Sequence, residues 1–297
     1  MSFPARAGLG LVFLLGAAAY VRRKSSAGER RRQIERGALR ELRGVRAAVD
    51  GCWCYARVSS SPAARDDPPV VLVHGYGMSS AYFVPTAERL ASDFNVYAPD
   101  LPDHGKSNAP PEPLDIPGFA KSLRRWMEVM QIGRACMVAH SMGCQIAVEL
   151  SLRYPDAVDR VVLIGPALDS SARTIRHLVS RVWASRFHER LSLTPVILKD
   201  YLRMAGRLRH ELNVMRAYRI EDKLPQLHRP ALFVRGGKDR IASQAWIDEL
   251  ARLTPDQRVA VIPGWGHAVQ YSAAAELIAV IRPFLRQSRK LRPVATQ

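Results

Sequence analysis

Cysteine is scarce: Cys52, Cys54, Cys136 and Cys144 are the four thiols in a chain of 297 residues. At these spacings they make no disulfide framework, and bridging Cys52 to Cys54 along one strand would strain the bond. All four are read as reduced, packed or semi-buried thiols, which fits a reducing compartment. Also missing are a cluster spaced as metal ligands, a Walker-type phosphate loop and a glycine-rich dinucleotide fingerprint, so neither a metal nor another cofactor is expected. No internal repeat is visible. Acidic residues are outnumbered, 27 Asp/Glu against 44 Lys/Arg, for a net charge of +17.

That charge is unevenly spread. Between Arg22 and Arg46 ten Lys/Arg face three Glu, and from Arg282 onward five basic residues meet no acid, so +12 of the +17 lies in two tails. A nucleic-acid-reading domain would carry its basic patch on a folded face with a recognisable motif, and none is found. Basic tails suit an anionic phospholipid surface, at about 1 kcal/mol per basic residue; plain solvation of the tails is the alternative.

The segment from Ala7 to Val21 is nearly all apolar and is followed at once by Arg22-Arg23-Lys24. It falls short of the roughly 20 residues of a comfortable bilayer span. Its length also matches a signal-peptide core, with Ala17-Ala18-Ala19 as a small-residue cleavage site, which would make the protein secreted. The positive flank after the run instead points to an uncleaved, tilted or shallow anchor with the downstream domain facing the cytoplasm. From Glu29 to Val45 an apolar stripe of Ile34, Ala38, Leu42 and Val45 on an Arg-rich background reads as an amphipathic juxtamembrane helix. Residues 1–44 are therefore expected to form an anchor and linker.

From residue 45 the pattern changes. Arg46 to Val49 and Cys52 to Val58 flank Asp50-Gly51, a hairpin signal. Short continuous apolar runs at Val70 to Val73, Val96 to Ala98, Ala135 to Ala139 and Arg160 to Ile164 alternate with helical periodicities. Such runs are expected of strands buried on both faces of a parallel sheet, and their rhythm means βαβ units. The alternation stops between residues 166 and 229, a stretch of helical patterns with about twice as many Lys/Arg as Asp/Glu, read as a cap over the carboxyl ends of the strands. It resumes with strands at Ala231 to Arg235 and Arg258 to Ile262 and a last helix through Leu285. The expected organisation is an α/β core in two halves, 45–165 and 230–288, a helical cap at 166–229, and a basic tail at 289–297.

Within this frame one turn stands out: Ala139-His140-Ser141-Met142-Gly143, between an apolar strand and a helical pattern. Small residues flank the serine because strand and helix approach closely, which lifts the hydroxyl over the sheet's rim. Asp239 and His267 also follow predicted strands, and in an open α/β sheet the carboxyl ends of the strands share one rim. A serine hydroxyl needs an imidazole to accept its proton, and that imidazole needs a carboxylate on its other nitrogen. Ser141, His267 and Asp239 match those needs, with the backbone N–H groups of Met142 and Tyr76 as expected oxyanion donors. His74, His104 and His140 are read as hydrogen-bonded anchors, and Cys144 as a small side chain behind the elbow.

In combination, His74-Gly75-Tyr76-Gly77, Asp100-Leu101-Pro102-Asp103-His104-Gly105-Lys106-Ser107, the Ser141 elbow, Gly236-Gly237-Lys238-Asp239 and Gly264-Trp265-Gly266-His267 resemble the α/β-hydrolase superfamily over about residues 45–285. The resemblance implies an eight-stranded, mostly parallel sheet with helices on both faces, a mobile cap, and Ser141, Asp239 and His267 as triad. Two positions depart from the family pattern: Asp103 stands where glycine is usual, and Cys144 where a second glycine often follows the elbow. A serine nucleophile argues against the dehalogenase and epoxide-hydrolase branches, which place aspartate there. The expected activity is hydrolysis of a carboxylic ester, lipophilic if the chain sits at a membrane. A carbon–carbon bond hydrolase with the same triad, or a non-catalytic small-molecule receptor, are the alternatives.

Overall fold

The computed structural model describes residues 41–60, 67–169, 181, 185–204 and 206–287. Eight strands form one sheet in the order β1-β2-β4-β3-β5-β6-β7-β8. They are β1 (Leu42–Val49), β2 (Cys52–Ser59), β3 (Val70–Val73), β4 (Val96–Pro99), β5 (Ala135–His140), β6 (Val158–Ile164), β7 (Ala231–Gly236) and β8 (Gln257–Ile262). β2 pairs antiparallel with β1 and β4, and the remaining neighbours run parallel. Asp50 and Gly51 both take positive φ, 47° and 79°, the geometry a two-residue hairpin turn needs to follow the strand twist.

Every residue of β3, β5, β6 and β7 is buried, so these strands are mainly apolar, with His140, Asp159, Arg160 and Arg235 as the buried polar side chains near their ends. Their side chains alternate between two cores. Val71, Val73, Met137 and Ala139 face a cluster shared with α2 (Ile116–Val129), α3 (Met142–Arg153) and α6 (Gln244–Leu253). Val70, Leu72, Cys136 and Val138 face the other, shared with α1 (Val84–Leu90), α7 (Val269–Ser272) and α8 (Ala274–Leu285). Between β6 and β7 the described residues hold α4 (Thr194–Met204), α5 (Leu208–Ala217) and short 3-10 turns.

The structure revises several boundaries. β1 begins at Leu42, so the end of the expected amphipathic helix is an extended edge strand; one strand covering a mixed apolar and charged stretch mimics a helical stripe over so few residues. The rest of that stripe, and the apolar run at 7–21, lie outside the described residues. Among the described residues no helix is long and apolar enough to cross a membrane. The expected helix after β3 starts as a 3-10 turn, Ser80–Phe83, before α1. The last helical stretch is two helices, broken at Ala273. All four cysteines are free.

Trp246 of α6 fixes that helix to the start of the insertion: it is 1% exposed, and its indole N–H donates to Pro166 O at 3.2 Å. Trp246→Ala should lower unfolding stability by about 3–5 kcal/mol in urea titrations, with an unchanged m-value. A loss under about 1 kcal/mol would show that this core collapses around the missing ring.

Candidate active site

β5 runs directly into the elbow. Ser141 sits at φ 55°, ψ −121°, a backbone region hostile to a residue with a side chain. The strain is held by the Ser141 N–H donating to Ile164 O at 2.9 Å and by the Ser141 carbonyl accepting from Cys144 N–H at 3.0 Å. α3 then starts so close to the end of β3 that a Cβ at Gly143 would lie 2.5 Å from Val73 O and 2.6 Å from His74 O. The loop after β3 touches the same turn, since a Cβ at Gly75 would lie 2.9 Å from Ser141 Cβ. Cys144 is buried behind the serine, and burial pushes its thiol well above the ordinary range, so it stays protonated.

The hydrogen bonds of that loop are nearly all committed. Gly75 N–H donates to the Tyr82 hydroxyl at 2.7 Å, Gly77 N–H to Glu211 Oε2 at 3.1 Å, and Met78 N–H to Gly75 O at 3.2 Å. His74 Nδ1 also lies 3.1 Å from Gly75 O, while His74 Nε2 accepts from Leu101 N–H at 2.9 Å. Because Gly75 C=O and Tyr76 N–H belong to one peptide plane, the bonds to that carbonyl fix the direction of the amide. Among the described residues no hydrogen bond uses the N–H of Tyr76 or of Met142. Two amides beside Ser141 are thus left unspent.

The loops after β7 and β8 meet by the same close packing. A Cβ at Gly236 would lie 1.9 Å from Gly266 O, and Lys238 N–H donates to Trp265 O at 2.8 Å. This brings Asp239 Oδ2 to 2.8 Å from His267 Nδ1. The other carboxylate oxygen, Oδ1, accepts from Ile241 N–H at 2.7 Å and Ala242 N–H at 3.0 Å, which fixes the carboxylate plane. Gly165, at the end of β6, leaves room for the pair: a Cβ there would lie 3.0 Å from His267 Nδ1 and 3.1 Å from Asp239 Oδ2. Burial alone would lower the His267 pKa, but the charge and hydrogen bond of Asp239, with Glu189 behind them, turn the net shift upward.

His140 connects the two halves. Its Nε2 lies 3.0 Å from the His267 carbonyl, its Nδ1 2.9 Å from the Tyr82 hydroxyl, and its ring centroid 4.5 Å from that of His267. Burial and the neighbouring His267 hold it well below the usual histidine range, so it is a neutral brace. Ser141 is half-buried and reachable from solvent. Among the described residues no hydrogen bond joins its hydroxyl to the His267 ring, so the structure brings Asp239 and His267 into contact and leaves Ser141 next to His140 without that bond.

Sequence reading did not single out Gly165, Tyr82, Glu189 or Glu211. Glu189 accepts from Ala268 N–H at 2.9 Å and from the Ser272 hydroxyl at 2.6 Å, bracing the residues after His267. Gly165, directly after an all-buried strand, carried a readable signal, because a glycine at a strand's carboxyl end marks a close approach.

The model of the Alpha/beta hydrolase family matches residues 70–280. An uncharacterized protein of Mycobacterium tuberculosis is 31% identical over 184 residues, covering 58% of this chain and 52% of that protein, so the chain spans about half the length of that relative. Esterase YbfF of Escherichia coli is 27% identical over 252 residues, covering 77% of this chain and 97% of the esterase. Among solved structures, the enol-lactonase from Burkholderia xenovorans superposes with a TM-score of 0.68 at 24% identity, over 82% of this chain and all of that one (100%).

The Asp239–His267 contact has a direct readout. In an NMR titration the His267 ring should titrate above the ordinary value of 6.5, and Asp239→Asn should move it down, because the carboxylate charge goes while burial stays. Equal values in the two proteins would show that the carboxylate does not act on the ring.

Proposed function

The chain belongs to the alpha/beta hydrolase family, and from that premise we propose that it is a serine hydrolase cleaving a carboxylic ester through an acyl-enzyme. The observation that carries this reading is the Asp239–His267 contact of 2.8 Å on the rim where the strained Ser141 turn projects. Asp239 accepts a hydrogen bond from Nδ1–H, which fixes the tautomer and leaves the lone pair on Nε2. Nε2 then accepts the Ser141 hydroxyl proton as Oγ attacks the ester carbonyl. The tetrahedral oxyanion is taken by the N–H groups of Met142 and Tyr76, the two left without partners. His267 then returns the proton to the leaving alkoxide, and water, deprotonated by the same ring, releases the acid. The relatives named as esterases support this chemistry for the present chain.

The finer reading is a lipophilic ester taken at an anionic membrane surface, with the catalytic domain facing the cytoplasm. It is motivated by the apolar run at residues 7–21, the basic residues behind it and the basic stretch from Arg282 onward. Full chain and a variant lacking residues 1–40, which leaves β1 whole, should partition differently on cell fractionation. A full-length chain wholly in the supernatant would remove this part.

A fluorophosphonate probe should label Ser141, and Ser141→Ala should lose both labelling and at least about a thousandfold of turnover on short p-nitrophenyl esters. Wild type that takes neither probe nor ester would sink the proposal. Labelling without ester turnover would point to carbon–carbon cleavage by the same residues.

The base must be neutral, so kcat/KM should fall as pH drops through the His267 pKa, with a midpoint above 6.5 because that pKa is raised. Asp239→Asn should shift this limb to lower pH and cut the rate by about 10⁴-fold. A limb that stays in place would assign the titration to another group.

A further inference from the structure

The helices of the insertion hold the loop that carries Tyr76. In α5, Leu208 O accepts from the Tyr76 hydroxyl at 2.9 Å, and Glu211 sits one turn further along. Glu211 is 3% exposed and uses both carboxylate oxygens: Oε1 lies 2.7 Å from His104 Nε2, and Oε2 accepts from Gly77 N–H. His104 is equally buried, and its Nδ1 lies 2.9 Å from Pro102 O. From α4, Asp200 accepts from the Ser79 hydroxyl at 2.7 Å. Three of the four residues from Tyr76 to Ser79 are therefore hydrogen-bonded to the insertion.

We infer that Glu211 is a positioning residue for the oxyanion site: it reaches from the insertion to fix the peptide plane after Tyr76, and thereby holds in place the loop that carries the Tyr76 N–H. This rests on the serine-hydrolase reading above. Gly77 takes φ +64°, and a Cβ there would already be 3.0 Å from Leu208 Cδ2, so the loop is pressed against α5 at the point where Glu211 holds it. The next plane back, which carries Tyr76 N–H, is pinned by the bonds to Gly75 O. Tyr76 is clamped between two fixed planes, one set by the core and one by Glu211. Without the second clamp the plane after Tyr76 turns freely about ψ of Tyr76, the loop loses its hold on α5 at Gly77, and the position of the Tyr76 N–H shifts with the loop. The spatial logic explains why a buried carboxylate is spent on a loop amide. A buried ion pair adds little net stability compared with apolar packing, whereas a carboxylate accepting a backbone N–H fixes its orientation strongly.

A donor that acts on the oxyanion contributes in the transition state and not in substrate binding, so its misplacement lowers kcat and leaves KM nearly alone. Two variants remove the clamp, Glu211→Ala and the double variant His104→Leu/Glu211→Leu; the second removes both members of the pair together, so neither side chain is left buried without its partner. Each should lose on the order of tenfold to a hundredfold in kcat on p-nitrophenyl acetate, with KM within about threefold. Glu211→Gln, which keeps an acceptor for Gly77 N–H, should recover most of the loss. Amide hydrogen exchange at Gly77 should quicken by about tenfold or more in the two clamp-free variants and not in Glu211→Gln. Wild-type kcat together with wild-type exchange at Gly77 in the double variant would overturn the inference. So would equal losses in Glu211→Gln and Glu211→Ala, which would tie the effect to charge and not to the clamp. If wild type neither labels nor turns over ester, the serine-hydrolase reading falls, and the exchange measurement alone decides whether Glu211 fixes the loop.

Discussion

Two backbones can come within van der Waals contact only where no side chain stands between them, and the rim of this sheet is built on that limit. The first turn of α3 lies on the carbonyls of Val73 and His74 because residue 143 has no Cβ. The loops after β7 and β8 interlock because residue 236 has none. Each approach converts a distance along the chain into a contact. One sets the Ser141 turn beside the loop of Tyr76, and the other sets Asp239 against His267. The positive φ of Ser141 is a local cost, of order 1–3 kcal/mol, carried by the packing of β5 and α3 around it. A larger residue at either glycine would relieve no strain and would push the rim apart.

Four histidines crowd this rim, and their surroundings sort them. His74 and His140 are enclosed without a carboxylate; burial, with a histidine neighbour in each case, holds both well below the usual range. They donate and accept in a fixed tautomer, as braces do. His104 is as deeply enclosed and His267 is half-buried, yet each faces a carboxylate, Glu211 or Asp239, and burial's downward pull is overcome in both. The difference between these two lies in the second nitrogen. His104 spends it on Pro102 O, whereas among the described residues the Nε2 of His267 has no hydrogen-bond partner. Of the four, His267 is the one whose second ring nitrogen stays uncommitted among the described residues.

The strands at the centre of the sheet were legible because burial on both faces forces continuous apolar runs, and the positions after them because glycines punctuate their carboxyl ends. Asp239 and His267 could be placed on one rim from that punctuation alone. β1 was misjudged at its start for the opposite reason. It is an edge strand with Arg43 and Arg46 pointing outward, so its pattern overlaps that of a basic amphipathic helix. Glu211 was not legible at all. It lies on a helix whose sequence is polar on one face, where a glutamate ordinarily faces water. Its burial depends on His104 and Gly77, more than a hundred residues away, and no local periodicity encodes such a meeting.

Asp103, one of the two positions that depart from the family pattern, ties these threads together. Asp103 takes φ 69°, the left-handed region that explains why glycine is usual there. Aspartate tolerates this region better than most residues, at a cost of roughly 1–2 kcal/mol. Against that cost stands a contact glycine could not make, an exposed ion pair from the Asp103 carboxylate to Arg207, next to α5, worth up to about 1 kcal/mol. Arg203 of α4 donates to Gly105 O on the same loop. The loop after β4 is therefore drawn to the insertion by side chains, as the loop after β3 is drawn by Glu211 and Asp200. With glycine at 103 the turn would form more easily and the insertion would lose one of its holds. Asp103 and Glu211 thus do the same kind of work, each a carboxylate that ties the insertion to a loop of the rim.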